Sequence, residues 1–331
     1  MRYIIRKRVL QIPAARTSRS WMKKIKFKKY DNLSLYRFLK ILFHNIQEDE
    51  IMDRANSVAY NFVLAIFPLV IFLFTLIPYI TPYFPEVNQD SIMQFLGDMM
   101  PTTMYEVISS TVLDIVSNQR GGLLTFGFLF AFYLAANGMF SLMRAFNACY
   151  LTVERRNVWR MRITASGLTL MLAVALVFAV VLIFVGQFLL KYATENIAEV
   201  SKLGLDHYTL SVLVVLRFFV IFTVFFIAIS FIYYFGPAVH YQWRFFSIGS
   251  FLATFACLAI SFVFSFYITN FSTYNKVYGS IGALIALMIW IQLLTTVLLF
   301  GFEINASLHY GRKAEAIDLH KRNKRKEKSQ R

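Results

Sequence analysis

The chain has 331 residues, 58% of them hydrophobic and 16% charged, against roughly 45–50% and 25% in soluble domains. This composition excludes an ordinary water-soluble enzyme, and it excludes a disordered chain, which requires low hydrophobicity. The net charge of +16, from 34 Lys and Arg against 18 Asp and Glu, would point to nucleic acid in a soluble protein; in a membrane protein it first reports topology.

Residues 1–30 form a basic segment without the apolar stretch of a signal peptide. Leu35, Leu39, Leu42, Phe43 and Ile46 then recur at helical spacing, with Arg37, Lys40 and Asn45 on other faces. That pattern predicts an N-terminal interfacial helix on the inner leaflet. A helix needs about 20 apolar residues to cross roughly 30 Å of hydrocarbon. Stretches 57–80, 122–143, 163–190, 209–235, 246–268 and 281–306 meet that requirement. The segment 81–121 is too long for a simple turn. Within it, Ile92, Phe95, Leu96 and Met99, then Val107, Ile108, Val112, Ile115 and Val116, predict two short amphipathic helices. A basic tail, 311–331, follows. The expected fold is an all-α integral membrane protein, a bundle of six transmembrane helices within a membrane domain covering 31–310.

Assigned to alternate sides of those spans, 29 of the 34 basic residues fall together with both termini. The other side holds Arg120, Lys191, Lys202 and Lys276, and Arg217 lies within a span. The asymmetry predicts a multi-pass protein of the cell membrane with both termini cytoplasmic. The expected partners are membrane lipids, chiefly anionic headgroups at the cytoplasmic face, worth about 1 kcal/mol per basic residue near the surface. No specific nucleic acid is implied, and a homo-oligomer is compatible with the sequence.

Cys149 and Cys257 have neither disulfide nor metal spacing, and the five histidines form no HxH or HExxH pair. There is no phosphate-binding GxxxxGK[ST] loop and no GxSxG elbow. No cofactor and no catalytic residue are indicated.

Candidate sites come instead from polar residues at bilayer depth, which are functional hypotheses by default. Arg217 lies eight residues into the fourth span, roughly 12 Å deep at about 1.5 Å per residue. The 19 Leu, Ile, Val and Phe of that span supply very roughly −8 kcal/mol against about +3 for Arg, so insertion demands no partner. Its guanidinium either snorkels outward or faces a polar cavity and binds an anionic group. A second group gathers toward the basic end: Asp53 and Tyr60 at the inner start of the first span; Asn137, Arg144 and Asn147 along the inner end of the second; and Glu303 on the sixth. Glu303 and Arg144 fall at similar depth, which suggests an ion pair. The bland account of this group is polar contact between helices, and the functional one is an inner site or gate.

A family pattern runs through the same residues. Asp53-Arg-Ala55, Ala59-Tyr60 and Phe67-Pro68 resemble the opening DxA…AYY…SLFPL block of the YihY/BrkB family, with Asn61, Ala65 and Ile66 departing from it. Asn137-Gly138, Arg144, Asn147 and Tyr150 are similar to its second-span motif, and Tyr233-Tyr-Phe-Gly236-Pro237 to its fourth-span exit. Tyr278-Gly279-Ser280, Trp290 and Gly301-Phe-Glu303-Ile-Asn305-Ala306 resemble its C-terminal block. The resemblance implies six membrane helices, with Pro68, Pro237, Tyr278, Gly279, Trp290 and Gly301 as structural motif positions. Family members have carried the names ribonuclease BN and virulence factor BrkB, and lipid movement has been suggested for relatives. Residues and resemblance together suggest transport or flipping of an amphiphilic, anionic, lipid-like substrate, with Arg217 attracting its headgroup. The alternatives are a non-transporting scaffold or envelope-integrity factor and, least in keeping with the residues, a ribonuclease.

Overall fold

Hydrocarbon offers backbone N–H and C=O groups no partner, so long apolar stretches satisfy them internally as helices. The computed structural model describes residues 20–27, 33–48, 50–83, 89–99, 102–149, 154–195, 207–238, 244–270 and 273–329. A two-residue hairpin, β1 (Lys26–Phe27) with β2 (Leu33–Ser34), precedes helix α1 (Leu35–Glu48). Six helices are long and apolar enough to cross a membrane: α2 (Ile51–Ile80), α5 (Gly121–Cys149), α6 (Val158–Glu195), α7 (His207–Phe235), α8 (Ile248–Asn270) and α9 (Thr273–Ser329). They contain five of the six expected stretches, and α8 covers the remaining one, 246–268, from Ile248 onward. The last is longer than expected, because the basic tail continues it as one helix to Ser329.

The ends of these helices have local causes. Ser247 and Ser250 cap the start of α8 reciprocally, each hydroxyl accepting from the other's backbone N–H at 3.0–3.1 Å, in the manner of a capping box. Helix α7 stops at Gly236-Pro237, where the Gly236 N–H still reaches Ile232 O at 2.9 Å and Pro237 has no N–H to continue the ladder. Between α1 and α2, Glu50 takes a left-handed conformation, φ 47° and ψ 41°.

The two amphipathic helices expected after the first span are α3 (Gln89–Met99) and α4 (Thr102–Ser117). Val112 and Val116 pack on Ile77 at the far end of α2. Gln119 Nε2 donates to Pro78 O at 3.2 Å, giving a partner to a carbonyl near a helix end.

The six spanning helices form a closed ring in sequence order: each packs on the next, and α9 returns to α2. The main apolar core sits at the basic end of this ring. It joins Ile51 and Val58 of α2, Leu142 and Phe146 of α5, Leu168 of α6, Ile232 and Tyr233 of α7, and Leu299 and Phe302 of α9. Phe146 and Phe302 stack at 4.2 Å, and Tyr233 meets both edge-on. Toward the opposite end the packing thins. Beyond Ala228 on α7 and Thr254 on α8, no described side chain of those two helices is buried.

Candidate functional site

Polar side chains at the basic end join every neighbouring pair in the ring. Asn61 Nδ2 of α2 donates to Ser141 Oγ of α5 at 3.3 Å. Arg162 of α6 donates to Asn137 Oδ1 of α5 and lies over the Phe140 ring, 4.6 Å from its centroid. Arg156, just before α6, donates to the carbonyls of Phe235 and Gly236 at the end of α7, at 3.3 and 2.8 Å. Ser230 of α7 donates to Ser250 of α8 at 3.1 Å. Asn305 of α9 accepts from Gly249 N–H at 2.9 Å and donates to Ser247 Oγ at 2.8 Å, both at the start of α8. Gln292 of α9 donates to Asn56 of α2 at 2.7 Å, closing the circle. Measured polar contacts between membrane helices average about 0.6 kcal/mol and reach about 1.7, so the set matters more than any member.

Two of these contacts anchor larger arrangements. Asn147 is buried at the end of α5, accepting from Ala238 N–H and donating to Glu154, each at 2.7 Å. Glu154 in turn receives Arg156 Nε and Nη2 at 2.9 and 2.8 Å, a bidentate pair. Burial raises the Glu154 pKa, but the hydrogen bonds and charge of Arg156, helped by Asn147, outweigh it and hold the carboxyl below its ordinary 4.5. The second arrangement is the crossing of α8 and α9. A Cβ on Gly249 would stand 2.1 Å from Gly301 O, and one on Gly301 would stand 2.6 Å from Ala253 Cβ and from the Tyr233 hydroxyl. Only glycine at both positions permits this approach, and Tyr233 donates to Leu298 O at 2.6 Å beside it.

Glu303 is 0% exposed. Its Oε1 accepts from Asn45 Nδ2 of α1 at 2.7 Å and from Ser307 Oγ at 3.0 Å. Arg144 is exposed and is not among the described partners of Glu303, so the expected ion pair between them is corrected: α1 occupies the flank of α9 where Arg144 was expected. The same docking buries Leu33, Phe38 and Leu308 together.

The remaining expected residues divide as follows. Asp53 and Tyr60 lie on the exposed face of α2, Tyr60 at 61% exposure, away from the core. Pro68 is buried within α2 and Pro237 just beyond α7. Trp290 donates to Ser261 Oγ at 3.2 Å and stacks on Phe264. Arg217 is on α7, and Tyr278 and Gly279 are on α9, but their side chains lie outside the described residues. Thus Asn137, Asn147 and Glu303 each tie helices together, and Asp53, Tyr60 and Arg144 are not gathered with them into one cavity. Sequence reasoning missed Asn45, Arg162 and the Glu154–Arg156 pair. A single acid placed amid Arg155, Arg156, Arg160 and Arg162 was the signal available for the last.

A ring of six apolar helices, clasped at one end by side-chain hydrogen bonds, defines a polytopic membrane protein. Residues 42–327 match the family model described as virulence factor BrkB, and the chain belongs to that family. It is 32% identical over 276 residues to the ribonuclease-like protein YfkH of Bacillus subtilis, covering 83% of this chain and 96% of that protein. It is 24% identical to UPF0761 membrane proteins of Pseudoalteromonas atlantica, over 81% of this chain and 84% of the relative, and of Coxiella burnetii, over 82% and 96%. No solved structure matches.

Proposed function

We propose that the protein binds and moves an amphiphilic, anionic, lipid-like molecule across the cell membrane, with its basic end and both termini in the cytoplasm. The observation that supports this reading is the unequal packing of the ring. Its basic end is filled by the apolar core and clasped at every helix interface, whereas α7 and α8 bury no described side chain toward the other end. An acyl chain is accommodated by apolar walls of that kind, and a cationic group part-way down α7, Arg217, supplies what a phosphate or carboxylate headgroup requires.

The test is native mass spectrometry of the protein in mild detergent, on wild type and Arg217→Ala. The expected result is a retained acidic lipid that the variant loses while remaining folded. Lipid-free protein from both preparations would refute the reading.

A second reading, a non-transporting scaffold, is favoured by the ring of clasps itself, since each polar residue in it has a helix to hold. It predicts that lipid retention is the same in both proteins. The ribonuclease-like name of the Bacillus relative suggests a third activity. Phosphodiester hydrolysis calls for a metal cluster or a positioned acid–base pair, and among the described residues no three His, Cys, Asp or Glu side chains converge.

A further inference from the structure

Helix α1 has one apolar face and two surfaces able to cover it. In the docked arrangement Phe38, with Leu35, Leu39 and Leu42 beside it, packs on Ile304 and Leu308 of α9, and Asn45 holds Glu303. The alternative cover is the bilayer, because only residues 49 and 50 separate α1 from the spanning helix α2. Glu50 is the only non-glycine residue with positive φ among the described residues, and a side chain in that conformation is strained.

The solvent-facing side of this segment also has a definite chemistry. Trp21, Lys23, Lys24, Lys26, Lys40 and Phe43 are all exposed. Basic residues interleaved with large aromatic ones, next to a membrane helix, match an anionic lipid surface.

We propose that α1 is a lipid-responsive latch: docked, it holds the basic end of α9 through Asn45 and Glu303, and an anionic bilayer surface competes for the same helix. The latch rests on the proposed placement of the basic end at the bilayer surface, but on no substrate, so it stands or falls separately from lipid retention by Arg217→Ala. Release uncovers Leu308 and the Glu303 carboxylate, and leaves α9 held to α2 by the Gln292–Asn56 bond alone among the described polar contacts.

The test uses full-length protein in nanodiscs of phosphatidylcholine, with or without phosphatidylglycerol, and the rate at which a maleimide labels Leu308→Cys. Leu308 is buried beneath α1; Phe43→Cys serves as the exposed control. In phosphatidylcholine the Leu308→Cys thiol should label far more slowly than the control. Phosphatidylglycerol should speed it by about fivefold for each basic residue that gains the surface, and Lys40→Glu should diminish that response. Asn45→Ala should raise the rate in phosphatidylcholine alone. Equal labelling in both lipids would make α1 a fixed brace and overturn the proposal. Labelling as fast as the control in both lipids would overturn it too, by showing that α1 does not dock.

Discussion

Replacing Gly249 by alanine tests the crossing of α8 and α9. The added Cβ would lie 2.1 Å from Gly301 O and 2.6 Å from Asn305 Cγ. The first distance is about 1.3 Å short of the 3.4 Å where ordinary contact begins, and both obstacles belong to α9, one of them backbone. Relief therefore requires the helices to part. Parting stretches the Gly249–Asn305 and Asn305–Ser247 hydrogen bonds, now 2.9 and 2.8 Å, each worth about 0.6–1.7 kcal/mol between membrane helices. Overpacking adds about 1–3 kcal/mol. The expected loss is thus about 2–6 kcal/mol, a fall in apparent Tm of roughly 3–9 °C for a chain of this size. Thermal unfolding in detergent, followed by circular dichroism, measures it. Gly167→Ala is the matched control: a Cβ there meets nothing within 4 Å, and alanine is the better helix former by about 1 kcal/mol. Should Gly249→Ala prove as stable as Gly167→Ala, the close crossing is wrong.

Three further outcomes follow from the clasps. Because Glu154 has its pKa held below 4.5 by Arg156 and Asn147 despite the opposing effect of burial, it stabilises the fold fully above its unfolded pKa, and that contribution disappears as pH falls through the lower folded value. Wild type should therefore exceed Glu154→Gln in thermal stability by a constant margin at pH 6–8, and the margin should shrink below about pH 4.5; a margin unchanged at pH 3 would refute the linkage. The charge swap Arg144→Glu with Glu303→Arg should not rescue Glu303→Arg, since Arg144 is exposed and Glu303 fully buried; detergent-extracted yield and monodispersity report this, and restored folding would reinstate the ion pair. A double-mutant cycle on Asn56→Ala and Gln292→Ala, read by unfolding free energy, should give a coupling of about 0.6 kcal/mol, and a value of zero would remove that clasp.

The spanning helices were legible because length and apolarity alone determine whether a segment can cross hydrocarbon. The helix at Leu35 was legible from its spacing, but its docking was not. Asn45 meets Glu303 across 258 positions of chain, and an amphipathic face states only that it needs cover, not which surface supplies it. Similar depth suggested Arg144 for Glu303, yet depth leaves the rotation of each helix about its axis undetermined, and Arg144 turns outward. Gly301 and Asn305 stood in a recognisable block without an evident task. The task became visible only when α8 was brought against them, with Gly249 facing one and the α8 N-terminus facing the other.

Helices fastened mainly near one end, as α7 and α8 are, behave as cantilevers. A tilt of about 5° at the fastened end moves the free end of a 20-residue rod by about 2.6 Å while hardly changing the fastening distances. The soft deformations expected of α7 and α8 are therefore splaying motions with their pivots at the ring of clasps. Such splaying leaves the clasps in place, and among the described residues only between α8 and α9 does it pull on a further bond, from Trp290 to Ser261 Oγ, whereas twisting one helix about its axis breaks two clasps at once.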